Sequence, residues 1–127
     1  MAERKPTSLN PLNFGEIKTL AGETADVQIG SDITLTTTMA LTRREFNNAS
    51  GGSIMFYLKH TPTGGTAEYT YVLVPTVLAQ DTKLGTIESP LDVFQPGILQ
   101  VWVKYDATHL IIPTDIVSCN LKLDPIG

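Results

Sequence analysis

Apolar and polar residues alternate with a period of two along most of the chain after residue 13. The clearest runs are DITLTTTM, SIMFYLKH, AEYTYVLV, ILQVWVKY and IVSCNLKL, and clusters of Gly, Pro, Asn and Asp separate them. A period of two places successive side chains on opposite faces of a β-strand, whereas a helix would repeat every 3.6 residues. The pattern therefore predicts an all-β protein built from antiparallel strands.

About seven strands at spacings of roughly 8 to 12 residues are typical of an immunoglobulin-like antiparallel β-sandwich. FGEIKTL is a weak first strand, a short strand is expected around residues 84–88, and HLIIP is a short piece before the last strand. The stretch ALTRREFNNASGG, residues 40–52, is predicted to be a long loop. In the last strand the alternation places Cys119 among inward apolar residues, as a small buried hydrophobe.

The first thirteen residues, MAERKPTSLNPLN, contain Pro6 and Pro11 and show no periodicity. Proline and the residue before it favour extended backbone, so this segment is predicted to be an extended arm. Residues 14–127 are then a single sandwich domain, because about 114 residues close one core and not two. Leu9 and Leu12 give the arm apolar side chains with which it could attach to another surface.

Trp102, the only tryptophan, lies in ILQVWVKY. The alternate residues Leu99, Val101 and Val103 form the core-facing side of this strand, so Trp102 is predicted to face away from the core. If SIMFYLKH is the neighbouring strand, Met55 and Tyr57 lie beside Trp102 in an apolar, aromatic patch. Three interpretations remain open: a loop or the arm covers the patch, another protein binds it, or its rings bind carbohydrate.

Composition excludes several classes of function. The net charge is −4, with 13 acidic and 9 basic residues and no long run of like charge. Nucleic-acid binding through counterion release needs a concentrated basic face, so no nucleic-acid partner is expected. The single cysteine excludes an internal disulfide, and no signal-peptide run or stretch of ~20 apolar residues is visible. We therefore expect intracellular synthesis without membrane anchoring.

No catalytic or metal-binding motif stands out. His60 and His109 lack ligand partners at metal-binding spacing, and no phosphate-binding loop or nucleophile with its base is recognisable. The aspartates at positions 81, 92, 106 and 115 lie in or beside predicted turns, where they cap backbone groups. The sequon Asn48-Ala49-Ser50 is interpreted as a chance match in a polar loop. We expect neither an enzyme nor a cofactor.

The segments SGGSIMFYLKHTPTGG, PGILQVWVKY and LIIPTDIVSCNLKL resemble the small immunoglobulin-like domains of virion proteins of tailed bacteriophages, in particular the N-terminal domain of phage baseplate upper proteins. The matching positions are the turn at residues 61–65, Pro96-Gly97 followed by Trp102, and Pro113-Thr114. TPTGG replaces the Lys-Pro-Asp-Gly turn of that pattern. The resemblance extends over most of residues 32–123.

The resemblance implies a non-enzymatic structural protein of a tailed-phage virion, made in the host cytoplasm and located in the particle. A head decoration or cement protein, or a neck accessory protein, is the primary expectation, with other virion proteins and further copies of itself as partners. A baseplate or tail component and a carbohydrate-binding sandwich module are the alternatives; the coat of a small RNA phage is disfavoured because no helical C-terminal segment is visible. The expected protein interface comprises Met55, Tyr57, Trp102, Arg43, Arg44, Pro6, Leu9, Pro11 and Leu12.

Overall fold

Nine β-strands and no helix make up the part of the chain that the structure, a computed structural model, describes: residues 11–19, 26–50, 52–78, 81–86, 92–105 and 116–126. The strands are β1 (Leu12–Thr19), β2 (Val27–Leu35), β3 (Met39–Asn48), β4 (Ile54–Pro62), β5 (Tyr69–Val77), β6 (Asp81–Thr86), β7 (Asp92–Phe94), β8 (Gly97–Tyr105) and β9 (Ile116–Pro125). The predicted all-β antiparallel sandwich is confirmed.

The strands form two sheets. Sheet 1 has the order β1-β9-β3-β6, with β7 also paired to β3, and sheet 2 has the order β2-β8-β4-β5. The chain thus pairs as if folded once upon itself: β1 with β9, β2 with β8, β3 with β6 and β7, and β4 with β5. Alternate pairs go to alternate sheets, which is the winding of a jelly roll. In the immunoglobulin order the first strand would instead lie beside the second.

Strands β6 and β7 lie end to end along the same edge of β3. Thr86 at the end of β6 pairs with Arg43, and Asp92 at the start of β7 pairs with Leu41. The two short strands therefore occupy one position in sheet 1. Counted in this way, the described strands fill the eight positions of a jelly roll.

The core lies between the sheets and consists of alternate residues of nearly every strand. Its largest fully buried side chains include Phe46, Phe56, Leu41, Leu58 and Leu99. The rings of Phe46 in sheet 1 and Phe56 in sheet 2 approach to 4.8 Å between centroids, so aromatic packing joins the two layers. Cys119 is fully buried here, as predicted, and burial raises the pKa of its thiol.

The predicted loop at residues 40–52 is wrong over most of its length, because residues 39–48 form β3 in the middle of sheet 1. Leu41 and Phe46 both face the core although five positions separate them, which strict alternation forbids. A register shift between Leu41 and Arg43 reconciles the two, since a β-bulge at Thr42 adds one residue to the strand. This extra residue interrupts the period of two, so the sequence of β3 does not show the alternation of a strand.

The boundary of the predicted arm also differs, because β1 begins at Leu12, inside residues 1–13. Residues 1–10 and the predicted strand HLIIP lie outside the described ranges. Gly97, at the start of β8, adopts φ +154°, and a Cβ there would lie 2.3 Å from the Thr61 carbonyl oxygen. Only glycine permits this close approach of β8 to β4.

Candidate interaction surface

Strands β4 and β8 lie side by side in sheet 2 and place Trp102 on the face away from the core. Leu99, Val101 and Val103 are fully buried, whereas Trp102 is only half-buried. Tyr57 is its direct cross-strand partner on β4. The predicted strand neighbours and the outward direction of Trp102 are therefore confirmed.

The surface around Trp102, here called the aromatic surface, consists of Tyr57, Lys59, Gln100 and Trp102. The Tyr57 and Trp102 rings lie nearly parallel at 20°, with centroids 6.4 Å apart. The Lys59 ammonium lies 3.8 Å from the centroid of the Trp102 ring, within cation–π range. The Trp102 indole N–H donates to Gln100 Oε1 at 3.1 Å. The tryptophan is thus held on several sides by side chains of its own sheet.

Tyr57 is less accessible than the predicted patch implied. Its exposed fraction is 6%, and its hydroxyl donates to Asp26 Oδ2 at 2.6 Å. Burial, followed by the hydrogen bond to the Asp26 carboxylate, raises the pKa of the Tyr57 phenol well above its ordinary value. Asp26 anchors the start of β2 to the aromatic surface, a contact that no local pattern predicts.

Two amides and one carboxylate continue this surface across β2. Asp32 accepts hydrogen bonds from Gln28 Nε2 at 2.9 Å and from Gln100 Nε2 at 3.0 Å. Gln100 therefore links Trp102 to Asp32 by accepting from one and donating to the other. The result is an ordered network with a polar rim of opposite charges, not an open apolar face.

The remaining residues of the expected interface lie in several places. Met55 is half-buried on the sheet 2 side and pairs with Lys104. Pro11 is exposed before β1 and Leu12 packs partly against the core, while Pro6 and Leu9 lie outside the described ranges. The sheet-face residues Met55, Tyr57 and Trp102 are thus brought together, and the arginine doublet is not among them.

Arg43 and Arg44 point in opposite directions because they are consecutive residues of β3. Arg43 is exposed and lines an open depression of about 280 Å³ on sheet 1 with Lys122 and Glu45. Arg44 forms a 2.6 Å ion pair with Asp92, and only 17% and 20% of the two side chains are exposed. Burial and the hydrogen bond to Asp92 raise the pKa of Tyr71, which faces this pair from sheet 2. Arg44 therefore stabilises the sandwich interior.

Asn48, the first residue of the sequon, is completely buried. Its side-chain N–H groups donate to the carbonyl oxygens of Gly52, Val77 and Leu78 at 2.7, 2.9 and 3.2 Å. Its Oδ1 accepts from the Ser50 backbone N–H at 2.9 Å and from the Ser50 hydroxyl at 2.5 Å. The amide nitrogen is fully engaged, so in the folded chain this sequon is a structural clamp that joins β3 to the end of β5 and to the segment before β4.

His60 is also buried, and its Nε2 lies 3.0 Å from the Gln95 carbonyl oxygen, with the ring edge-on to Phe94. His60 thus has a hydrogen-bonded role within the fold, whereas His109 lies outside the described ranges. Within those ranges, no three His, Cys, Asp or Glu side chains are grouped to hold a metal ion. The same ranges contain no helix long and apolar enough to cross a membrane.

Comparison with known proteins gives weak similarities. No protein-family model matches the chain, and no curated protein matches it. A solved structure of infectious bursal disease virus strain Gx aligns with 93% of this chain and 30% of its own, at 12% identity and a TM-score of 0.48. A structure of strain Gt aligns with 92% of this chain and 41% of its own, at 7% identity and a TM-score of 0.24. The chain thus spans less than half of either viral chain, and TM-scores below 0.5 establish neither a shared fold nor a shared function.

Proposed function

We propose that this chain is a non-enzymatic structural protein of a tailed-phage virion, most specifically a head decoration or cement protein or a neck accessory protein. The observation that carries the proposal is the jelly-roll strand order of the two sheets. Viral capsid domains, lectin domains and cupins share this winding. A fold alone does not assign a function, so the choice among these classes rests on the surfaces and the interior.

The interior favours a structural block over a ligand container. Side chains from both sheets fill the space between them, and the core residues are exposed by 8% or less. The Phe46 and Phe56 rings meet across the layers at 4.8 Å. A sandwich packed in this way presents its outer faces, its edges and its termini to partners, and those are the surfaces that a particle component uses.

Attachment is assigned to the arm and to the face of sheet 2. Pro6, Leu9 and Pro11 give the arm restricted backbone and an apolar side chain, which lowers the entropy lost on docking. On sheet 2, the half-buried Trp102, with the buried Tyr57 ring stacked beside it, supplies the kind of aromatic group that is enriched at protein interfaces. The partners are other virion proteins and further copies of this chain, and the site of action is the assembled particle.

The test is quantitative mass spectrometry and cryo-electron microscopy of purified particles of the phage that encodes the chain. We expect a fixed number of copies per particle, on the head or neck. Deleting residues 1–10 leaves β1 intact, because β1 begins at Leu12, and we expect this truncated chain to be folded but missing from particles. Absence of the full chain from particles would overturn the proposal, and density at the baseplate would replace decoration with a tail role.

A carbohydrate-binding role is the second candidate, and one observation favours it. Trp102 lies beside the amide of Gln100 and, through it, the carboxylate of Asp32, the kind of polar groups that accompany sugar-stacking rings. Lys59 covers the ring, however, at 3.8 Å from its centroid. A glycan array probed with the unmodified chain, with Lys59→Ala and with Trp102→Ala separates the two roles. Sugar binding by the unmodified chain or by Lys59→Ala that is abolished in Trp102→Ala would favour carbohydrate binding.

A further inference from the structure

The edges of the two sheets differ in how open they are to another strand. In sheet 2, β2 is shifted in register between Ile29 and Ile33, and β5 carries two register shifts and Pro75. In sheet 1, one edge is divided between β6 and β7, with only Thr42 of β3 between the two pairings. Bulges, prolines and short segments are features that prevent edge pairing. Three of the four described edges are therefore blunted.

The fourth edge, β1, has none of these interruptions. All eight of its residues, from Leu12 to Thr19, pair with β9 in one continuous register. Near the end of β1, two residues before Thr19, Ile17 is 74% exposed, the largest exposure among the described large apolar side chains. A regular edge strand with an exposed apolar side chain is a template for a further strand.

The sequence of β1 is complementary to itself in one antiparallel register. When two copies pair about a two-fold axis at Ile17, this residue lies opposite its own copy, and Glu16 of each chain lies opposite Lys18 of the other. Registers centred on Glu16 or on Lys18 place like charges opposite each other, which is unfavourable. Charge pattern and apolar position thus select the same register.

Two contacts within the chain show how β1 presents these groups. Glu16 lies over Gly30, whose φ of +69° and missing side chain leave room for it, since a Cβ would be 2.5 Å from Glu16 Cγ. Lys18 already has an interaction within its own chain. The pairing of a second strand is therefore stabilised mainly by the backbone edge of β1 and by Ile17. The Glu16–Lys18 pairs mainly select the register.

We propose that β1 is a self-association edge, at which a second copy of this chain adds its own β1 antiparallel and joins the two copies of sheet 1 into one continuous sheet. The two-fold axis passes at Ile17, so the contact is closed and isologous. This inference rests on the proposed structural role, which gives self-association a purpose. Its geometric argument uses the single chain alone. It names a second copy as one partner.

The test uses charge exchange on the full chain, followed by light scattering across a concentration series. We expect twice the 13.8 kDa chain mass for the unmodified protein. Glu16→Lys and Lys18→Glu should each raise the concentration for half-dimerisation by at least tenfold, because each places like charges opposite each other. An equimolar mixture of the two variants should restore dimers, since every facing pair is then opposite in charge. Glu68→Lys, the same charge change on an exposed residue outside β1, should leave the dimer unchanged.

Several results would overturn the inference: a monomeric unmodified chain, single variants that dimerise as well as the unmodified chain, or a mixture that stays monomeric. Hydrogen exchange of the unmodified chain avoids any folding defect of the variants, and unchanged β1 protection between low and high concentration would also reject it. If deleting residues 1–10 abolishes dimers, the arm and not β1 makes the contact. A monomer that still enters particles would reject this inference alone, whereas dimers absent from particles would reject only the proposed function.

Discussion

Replacing Asn48 tests whether one buried amide holds β3 to the end of β5 and to the segment before β4. In Asn48→Ala, the carbonyl oxygens of Gly52, Val77 and Leu78 lose their shared donor, and the two hydrogen bonds that Ser50 donates to Asn48 Oδ1 are lost, although the Ser50 hydroxyl keeps the Gly52 carbonyl oxygen within reach at 3.0 Å. A typical hydrogen bond contributes about 1 kcal/mol net, and a buried group left unpaired costs roughly 1–3 kcal/mol. Two amide protons and two accepted bonds therefore give an expected loss of about 3–5 kcal/mol in the free energy of unfolding.

Asn48→Asp has nearly the same shape but presents acceptors where the donors were. At neutral pH a carboxylate would face the carbonyl oxygens of Val77 and Gly52 in a fully buried site, so the loss should exceed that of Asn48→Ala. Burial would raise the pKa of the new carboxyl above its unfolded value of about 3.9, because the neutral form is favoured. The destabilisation of Asn48→Asp should therefore grow as pH rises above about 4.

The assay is urea unfolding followed by the fluorescence of Trp102, the only tryptophan. Asn47→Ala is the matched control, because Asn47 is the preceding residue of β3 and is exposed. Its expected effect is within about 0.5 kcal/mol. A loss below about 1 kcal/mol for Asn48→Ala, or equal losses for both asparagines, would refute the argument that the buried amide clamps the strands.

Other consequences of the fold can be measured in the same way. Arg44→Ala should lower the free energy of unfolding by about 2–3 kcal/mol, less than for a fully buried pair because the Asp92 side chain is 20% exposed. Arg43→Ala should change it by less than about 0.5 kcal/mol. Equal effects of the two substitutions would contradict the inward direction of Arg44 and the outward direction of Arg43. The Cys119 thiol is buried with a raised pKa, so thiol reagents should label it only at the rate of unfolding, and immediate labelling of the native chain would contradict its position. Because the pKa of the Tyr57 phenol is raised in the folded chain, this phenol ionises first in the unfolded chain above pH ~10, and the free energy of unfolding should fall there. Tyr57→Phe should make this fall with pH less steep. An unchanged slope of unfolding free energy against pH would contradict the assignment to Tyr57.

Local alternation was sufficient for the strands that follow it without interruption. In β8, Leu99, Val101 and Val103 are buried as their parity predicts, and Trp102 faces outward. In β3 the extra residue Thr42 breaks the alternation, so a central strand had the pattern of a loop. Periodicity within single strands thus predicts the layers wherever the pairing register is continuous.

Strand order is a different kind of information. Immunoglobulin-like and jelly-roll sandwiches use the same strand lengths and the same alternation, and they differ in which distant strands become neighbours. The pairing of Leu12 with Leu123 has no local signature. The same holds for the candidate surface, since Asp26 and Asp32 reach Tyr57 and Gln100 only through the β2–β8 pairing.

The once-folded pairing of the chain also constrains how it can form during synthesis. The only sheet neighbour of β1 among the described strands is β9, which follows it by about 100 residues, so β1 stays unpaired until β9 has left the ribosome. Strands that close such long loops form slowly, on a scale of milliseconds to seconds for β-sandwiches. A nascent chain would carry β1 as an exposed strand while the residues between β1 and β9 are synthesised, and chaperone occupancy of β1 should end when β9 emerges.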